Sequence, residues 1–187
     1  MKWLRKKRVL LLVFLGFVLL LFLNTHWLSL FYPIYYKDDI RKHAENNQLD
    51  PFMVAAIIKV ETNYKPSKES KKGALGVMQI MPETAQWVLE KAKLPSVTMD
   101  QINHETGTNI EIGTWYLKNL SDQFDGNMIA VIAAYNAGPT RVKSWLKNGT
   151  WDGTVETTKN IPLGETRHYV QRVVHYYEQY TSIYEHF

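Results

Sequence analysis

Cysteine is absent from the chain of 187 residues. Its absence excludes disulfide bonds, thiolate zinc sites and thiol catalysis. The six histidines have no spacing typical of a metal site, and no P-loop lysine and serine pair follows the glycines. The sequence therefore predicts neither a metal nor a cofactor.

An excess of positive charge is also missing once the N-terminus is set aside. The formal net charge is +4, from 22 Lys and Arg against 18 Asp and Glu. Five of the cations precede Val9, and 22 minus five leaves 17 basic residues for the rest. A nearly neutral domain lacks the electrostatic footprint of a protein that neutralises many phosphates, so no nucleic-acid partner is predicted.

A long uncharged run occurs at the N-terminus. Residues 9–23 carry no charge and follow five basic residues, Lys2, Arg5, Lys6, Lys7 and Arg8. A bilayer core about 30 Å thick needs about 20 helical residues, so a span would extend to residue 31. We interpret 1–8 as a cytoplasmic basic tail and 9–31 as a transmembrane signal anchor in the bilayer, with the following domain extracytoplasmic.

Two other interpretations of this segment stay open. A processed signal peptide has a similar charged start, but residues 24–27 offer no small-x-small cleavage site. A buried core helix is the second alternative, because a short apolar run is also compatible with a protein core.

The remainder, residues 37–187, shows helical spacing and no alternating apolar pattern, which predicts a mostly α fold preceded by one transmembrane helix. Proline and glycine mark the ends of several predicted helices. The predicted helices cover about 51–63, 83–93, 102–120 and 127–137, a shorter one ending near 147, and 165–183, with 148–164 irregular.

Glu61 is the first candidate for chemistry. Val54, Ile57, Ile58 and Glu61 follow the i, i+3, i+4, i+7 spacing, which places the glutamate on the apolar stripe of its helix. Apolar surroundings raise the pKa of a carboxyl group, so Glu61 is a candidate general acid. The alternative is that the helix ends near Glu61, which then reaches solvent or pairs with Lys65.

A glycine-flanked segment, Gly73 to Pro82, follows Glu61 and leads into a helix. Gly73 and Gly76 would let the backbone approach a ligand closely, although a plain tight turn is the commoner use of two glycines.

Taken together, these motifs resemble a known family. The chain resembles, over about residues 37–180, the catalytic domain of soluble lytic transglycosylases, in glycoside hydrolase family 23, which also includes goose-type lysozyme. The matching residues are Glu61-Thr62, Ser70, the stretch from Gly76 to Pro82, Ala134-Tyr135-Asn136-Ala137-Gly138, Ile161 to Arg167, and Tyr169-Val170. Thr62 stands where the family usually has serine, and Leu163 stands where it usually has an aromatic residue.

The resemblance implies a lysozyme-like helical fold with a groove for peptidoglycan, the alternating polymer of N-acetylglucosamine and N-acetylmuramic acid. Glu61 is identified with the family's catalytic glutamate. The residues that the resemblance places on the substrate are Ser70, Met78, Gln79, Met81, Tyr135 and Glu165, with Gly76 and Asn136 as structural residues of the site.

The implied activity is that of a lytic transglycosylase, a glycan lyase. Glu61 would serve as acid and then as base, and the C6 hydroxyl of the sugar would close a 1,6-anhydro ring. One alternative is a lysozyme-type hydrolase, which needs a second carboxylate; the nominal candidates are Glu69, Glu83 and Glu165. Another is a non-catalytic wall-binding protein that stacks sugars on Trp87, Trp115, Trp145 and Trp151.

Overall fold

Helices make up nearly all the regular structure of residues 2–23 and 25–187, the part of the chain that the computed structural model describes. The α-helices are α1 (Lys2–Leu23), α2 (Lys37–Asn46), α3 (Pro51–Thr62), α4 (Pro82–Ala92), α5 (Met99–His104), α6 (Thr106–Gln123), α7 (Met128–Ala137), α8 (Pro139–Lys147) and α9 (Gly164–Ile183). Two 3-10 helices cover Thr25–Leu30 and Thr158–Asn160. The predicted mostly α fold is confirmed.

Local signals explain where several helices begin. The Asp50 carboxylate accepts a hydrogen bond from the Phe52 amide at 2.8 Å, and Pro51 occupies the first turn, where its missing N–H costs nothing. Asn127 accepts hydrogen bonds from the amides of Ile129 and Ala130 at the start of α7. These caps satisfy amides that have no partner within the helix.

Two helical segments differ from the prediction. Helix α2 was not expected, because only Ile40, His43 and Ala44 of its ten residues are buried and the rest are polar. The helix predicted over 102–120 is two helices, because Glu105 is extended with φ −99° and ψ 107° and separates α5 from α6.

The core is built around α3 and α7, which are apolar on nearly every face. Residues 53–58 of α3 and 129–134 of α7 are all buried. Helix α9 packs against both of these helices, while α6 packs against α2, α4, α5 and α7. This arrangement brings the C-terminal end of α3, where Glu61 lies, under the first turns of α9.

The N-terminal segment is divided into two helices. Helix α1 ends at Leu23 and a 3-10 helix covers Thr25–Leu30. Residue 1 of the predicted tail and residue 24 of the predicted span lie outside the described residues. Within the described ranges, no helix combines the length and the apolar composition needed to cross a membrane, so the predicted transmembrane helix is not supported by the structure.

Candidate active site

Glu61 lies in the last turn of α3, and its position is fixed by how that helix ends. Asn63 terminates the helix in the left-handed conformation, with φ 54°. The Thr62 hydroxyl donates to the Val77 carbonyl at 2.9 Å, which attaches the helix end to the downstream loop. The Lys68 ammonium donates to the Glu61 carbonyl at 3.2 Å, so a second loop contact holds the same turn.

The carboxyl group of Glu61 has a strongly altered affinity for protons. Burial raises the pKa of Glu61 to about 7, and the Glu165 carboxylate adds to this rise. Tyr169, Lys68 and Arg172 oppose it by favouring the charged form. A carboxyl group with a pKa near 7 is present in both protonation states at neutral pH, which suits a group that must give and then take a proton.

The apolar stripe proposed for Glu61 is only part of the reason for this environment. Val54, Ile57 and Ile58 are fully buried, but so are Ala55 and Ala56 on other faces of α3. The shelter of Glu61 therefore comes from the elements that cover the end of α3, above all α9.

Helix α9 brings three polar side chains toward Glu61: Glu165, Tyr169 and Arg172. The Tyr169 hydroxyl is buried and has no hydrogen bond of standard geometry. It still lies close enough to Glu61 to be the largest of the effects that lower the pKa of Glu61. The Tyr169 hydroxyl and the Glu61 carboxyl group are therefore neighbours without a formed hydrogen bond.

The loop from Leu75 to Ile80 forms the facing wall. Leu75 and Ile80 pair through two backbone hydrogen bonds, of 2.9 and 3.0 Å, around a tight turn. Gln79 adopts φ 50°, a left-handed conformation that is uncommon for a residue other than glycine. Its amide nitrogen donates to the carbonyls of Lys68 and Gly76, at 2.8 and 2.9 Å, so this side chain braces the turn.

Asn109 of α6 is a buried polar residue that holds this loop. Its amide oxygen accepts from the Met78 amide at 2.8 Å, and its nitrogen donates to the carbonyls of Leu75 and Ile102 at 3.0 and 2.8 Å. A Cβ atom on Gly76 would lie 2.2 Å from the Asn109 side chain, so the close approach requires glycine. The predicted structural role of Gly76 at the site stays a prediction, and Asn109, which holds the loop, was not identified from the sequence.

Met78 has its side chain in the core and not in the cleft. The side chain is fully buried, and its sulfur fills the space left by Gly113 of α6. The predicted contact of the substrate with backbone groups near Met78 stays a prediction, and the Met78 N–H and carbonyl also make hydrogen bonds within the protein. The carbonyl accepts a hydrogen bond of 2.8 Å from the Tyr135 hydroxyl, which fixes that ring beside Glu61.

Three other predicted site residues lie in the loop after α3, at the start of α4 and near the end of α7. The Ser70 hydroxyl oxygen accepts from the amides of Ala74 and Lys72, at 2.9 and 3.2 Å, and so shapes the loop before Leu75. The side chain of Met81 is 38% exposed at the start of α4. Asn136 accepts a hydrogen bond of 2.7 Å from Thr166, which ties α7 to the first turn of α9.

An open side cavity of about 280 Å³ has Trp87 and Tyr116 among its lining residues. The Tyr116 and Tyr135 ring centroids are 5.7 Å apart, and those of Tyr116 and Trp87 are 6.2 Å apart. Trp151, one of the residues suggested for sugar stacking, is only 1% exposed and belongs to the core.

The chain is similar in sequence to known proteins. A family model described as the transglycosylase SLT domain matches residues 38–157. The chain is 37% identical over 147 residues to a soluble lytic murein transglycosylase of Escherichia coli strain K12, a match that covers 78% of this chain and 23% of the relative. It is 33% identical over 107 residues to a membrane-bound lytic murein transglycosylase C of Haemophilus ducreyi, covering 53% and 29%.

Solved structures show the same likeness. The crystal structure of the 70 kDa soluble lytic transglycosylase from Escherichia coli superposes with a TM-score of 0.76 at 35% identity, covering 83% of this chain and 26% of that one. A complex of the 70 kDa soluble lytic transglycosylase with bulgecin A gives a TM-score of 0.75 at 34% identity, with the same coverage. The chain spans about a quarter of the length of the soluble lytic transglycosylases that it matches.

Proposed function

The chain belongs to the transglycosylase SLT domain family, and from this premise we propose that it is a peptidoglycan lytic transglycosylase. It cleaves the β-1,4 bond between N-acetylmuramic acid and N-acetylglucosamine and leaves a 1,6-anhydromuramic end. The observation that carries this proposal is the sheltered Glu61 carboxyl group, whose pKa is raised to about 7 by burial in the cleft.

The proposed reaction uses Glu61 twice. The protonated carboxyl group donates its proton to the glycosidic oxygen as the bond to the anomeric carbon breaks. The substrate's N-acetyl group stabilises the positive charge on the sugar. The Glu61 carboxylate then takes the proton of the C6 hydroxyl, whose oxygen attacks the anomeric carbon, so that no water is consumed and Glu61 is protonated again.

The surrounding residues support this reaction by positioning and by charge. Tyr135 is held toward Glu61 through the Met78 carbonyl, and Tyr169 contacts the carboxyl group from α9. We propose direct sugar contacts for Ser70, Gln79, Met81, Tyr135 and Glu165, and for backbone groups near Met78.

The test is digestion of purified peptidoglycan by the full chain in neutral detergent, followed by mass spectrometry of the released fragments. The expected products have 1,6-anhydromuramic ends, and Glu61→Gln should lower their release by at least about 100-fold, the usual contribution of a general acid and base. Release at the wild-type rate by Glu61→Gln would exclude the proposed mechanism. The exposed Glu69→Gln provides the matched amide substitution outside the cleft.

A lysozyme-type hydrolase is the second candidate, because Glu165 lies close enough to Glu61 to affect its pKa. A second carboxylate could hold the attacking water in that reaction. The same digestion separates the two activities, since a hydrolysed product carries one more water than an anhydro product. Reducing ends in place of anhydro ends would favour the hydrolase.

We also propose that residues 9–31 attach the domain to the cytoplasmic membrane, with residues 1–8 on the cytoplasmic side and the domain facing the cell wall. Exposed apolar side chains, among them Leu10, Phe14 and Leu20 of α1, and the basic residues before them support this attachment. The test is extraction of membranes with alkaline carbonate, combined with protease access from either side. Release into the soluble fraction would contradict the attachment.

A further inference from the structure

An open cavity of about 590 Å³ adjoins the C-terminal end of α3. It is separate from the side cavity lined by Trp87 and Tyr116. One wall comes from the last residue of the first 3-10 helix and the segment after it, where Leu30, Phe31 and Tyr35 are 80%, 68% and 55% exposed. The other wall comes from the end of α3 and the turn that follows it, and includes Lys59 and Lys65. We call this space the N-terminal cavity.

The N-terminal cavity is preformed, because its first wall is fixed to the domain. The Tyr36 hydroxyl donates to the Tyr64 carbonyl at 3.2 Å, and the Tyr35 and Tyr64 rings meet edge to face at 5.5 Å between centroids. The Tyr184 hydroxyl donates to the Tyr32 carbonyl at 2.9 Å. Residues 30–36 precede the family match, which begins at residue 38.

The lining combines apolar and aromatic surface with two cations. Within residues 2–23 and 25–187, neither Lys59 nor Lys65 has a carboxylate within salt-bridge distance. The Lys59 ammonium lies 5.4 Å from the centroid of the Tyr176 ring, and burial lowers the pKa of Lys59. A partly desolvated ammonium without an anionic partner is a favourable site for an anionic group.

We propose that the N-terminal cavity binds an anionic phospholipid, with the phosphate between Lys59 and Lys65 and the glycerol and first acyl carbons against Leu30, Phe31 and Tyr35. The charge and the apolar surface match the two parts of such a lipid. The 3-10 helix Thr25–Leu30 has six residues and, at about 2 Å of rise per residue, spans about 12 Å. Leu30 is therefore about 12 Å from the end of the apolar helix α1, near the level of the lipid head groups.

The test measures lipid binding directly and does not depend on enzymatic activity. The full chain in neutral detergent is titrated with dihexanoyl-phosphatidylglycerol below its micellar concentration, and amide hydrogen exchange is followed by mass spectrometry. We expect slower exchange in peptides covering 30–36 and 59–66. Dihexanoyl-phosphatidylcholine and inorganic phosphate, added separately, should give little or no protection.

Substitutions test whether the lipid binds in the N-terminal cavity. Lys65→Glu should weaken the apparent affinity for dihexanoyl-phosphatidylglycerol by about tenfold, from the loss and reversal of one charge near a lipid phosphate. Tyr35→Ser should weaken it through the apolar wall, while Lys147→Glu, at an exposed position at the end of α8, should not.

Three results would overturn the proposal. Equal protection by the phosphatidylcholine lipid would show apolar filling without charge recognition, and equal protection by inorganic phosphate would show a site for a free anion. Unchanged protection in Lys65→Glu would exclude the cavity as the binding site. Muropeptide release by Lys65→Glu is measured in parallel, so that a failure of lipid binding is distinguished from a failure of the proposed enzymatic function.

Discussion

At the residue scale, Glu61 makes the free energy of unfolding depend on pH. The unfolded chain ionises this carboxyl group near 4.5, whereas the folded chain holds its proton up to about 7. Between these values the folded state binds more protons than the unfolded state, so stability decreases as pH rises from 4.5 to 7. The difference of between two and three pH units corresponds to about 3 kcal/mol.

Glu61→Gln removes this dependence. We expect the variant to gain about 3 kcal/mol of unfolding free energy relative to the wild type on going from pH 4.5 to pH 8, as measured by urea denaturation at each pH. The comparison between two pH values isolates ionisation from any change in packing. A constant difference between wild type and variant across this range would show that the carboxyl group is not sheltered.

Tyr169 sets the pH at which Glu61 loses its proton. Its hydroxyl favours the charged carboxylate, so Tyr169→Phe should raise the pKa of Glu61 further. The alkaline limb of the profile of kcat/KM against pH should then move to higher pH. Tyr177→Phe on the same helix is the control, because that hydroxyl donates to Asp50 at 2.8 Å, at the other end of α3. An unmoved limb in Tyr169→Phe would contradict the assignment.

At the scale of elements, the loop that faces Glu61 depends on Asn109. Asn109→Ala removes the side-chain partner of the buried Met78 amide and of the Ile102 carbonyl, and leaves the Leu75 carbonyl with only its bond from the Ile80 amide. We expect a loss of about 2–4 kcal/mol of unfolding free energy in urea denaturation. Asn119→Ala on the same helix is the matched control, because its amide meets only Gln123 at the surface, and should change stability by less than about 0.5 kcal/mol.

Local sequence signals predicted some helix boundaries correctly and missed others. Pro51, Pro82 and Gly138 marked helix ends that the structure confirms to within a residue or two. The break at Glu105 was missed because glutamate is a good helix former, although Glu105 is extended in the structure. Apolar spacing continues on both sides of this residue and therefore predicted one helix.

Some residues of the candidate site could likewise be identified from the local sequence, and others could not. Glu61 was identified from its own helix and motif, but Asn109 and Tyr169 act on the site from 48 and 108 positions further along the chain. The burial of Met78 depends on Gly113, a glycine within α6 that offers no sequence signal by itself. These roles are properties of tertiary contact and require the folded chain.

At the scale of the whole molecule, the domain begins before the first residue of α2. Ile34 is only 6% exposed and is part of the core, and the Tyr36 hydroxyl donates a hydrogen bond to the Tyr64 carbonyl. Burial of an isoleucine side chain contributes about 1.5–3 kcal/mol, and a hydrogen bond contributes about 1 kcal/mol. Residues 32–36 are therefore part of the folding unit, although the predicted domain starts at residue 37.

This assignment predicts the stability of N-terminally shortened fragments. The free energy of unfolding of a fragment of residues 37–187 should be about 2–4 kcal/mol lower than that of a fragment of residues 32–187. The shorter fragment lacks Ile34 and the Tyr36 hydrogen bond. Fragments of 30–187 and 32–187 should agree within about 0.5 kcal/mol, since Leu30 and Phe31 are largely exposed. Urea denaturation of the three fragments gives both comparisons. If 37–187 were as stable as 32–187, the segment would lie loosely on the domain, and the N-terminal cavity would lose the fixed wall on which the proposed lipid site depends.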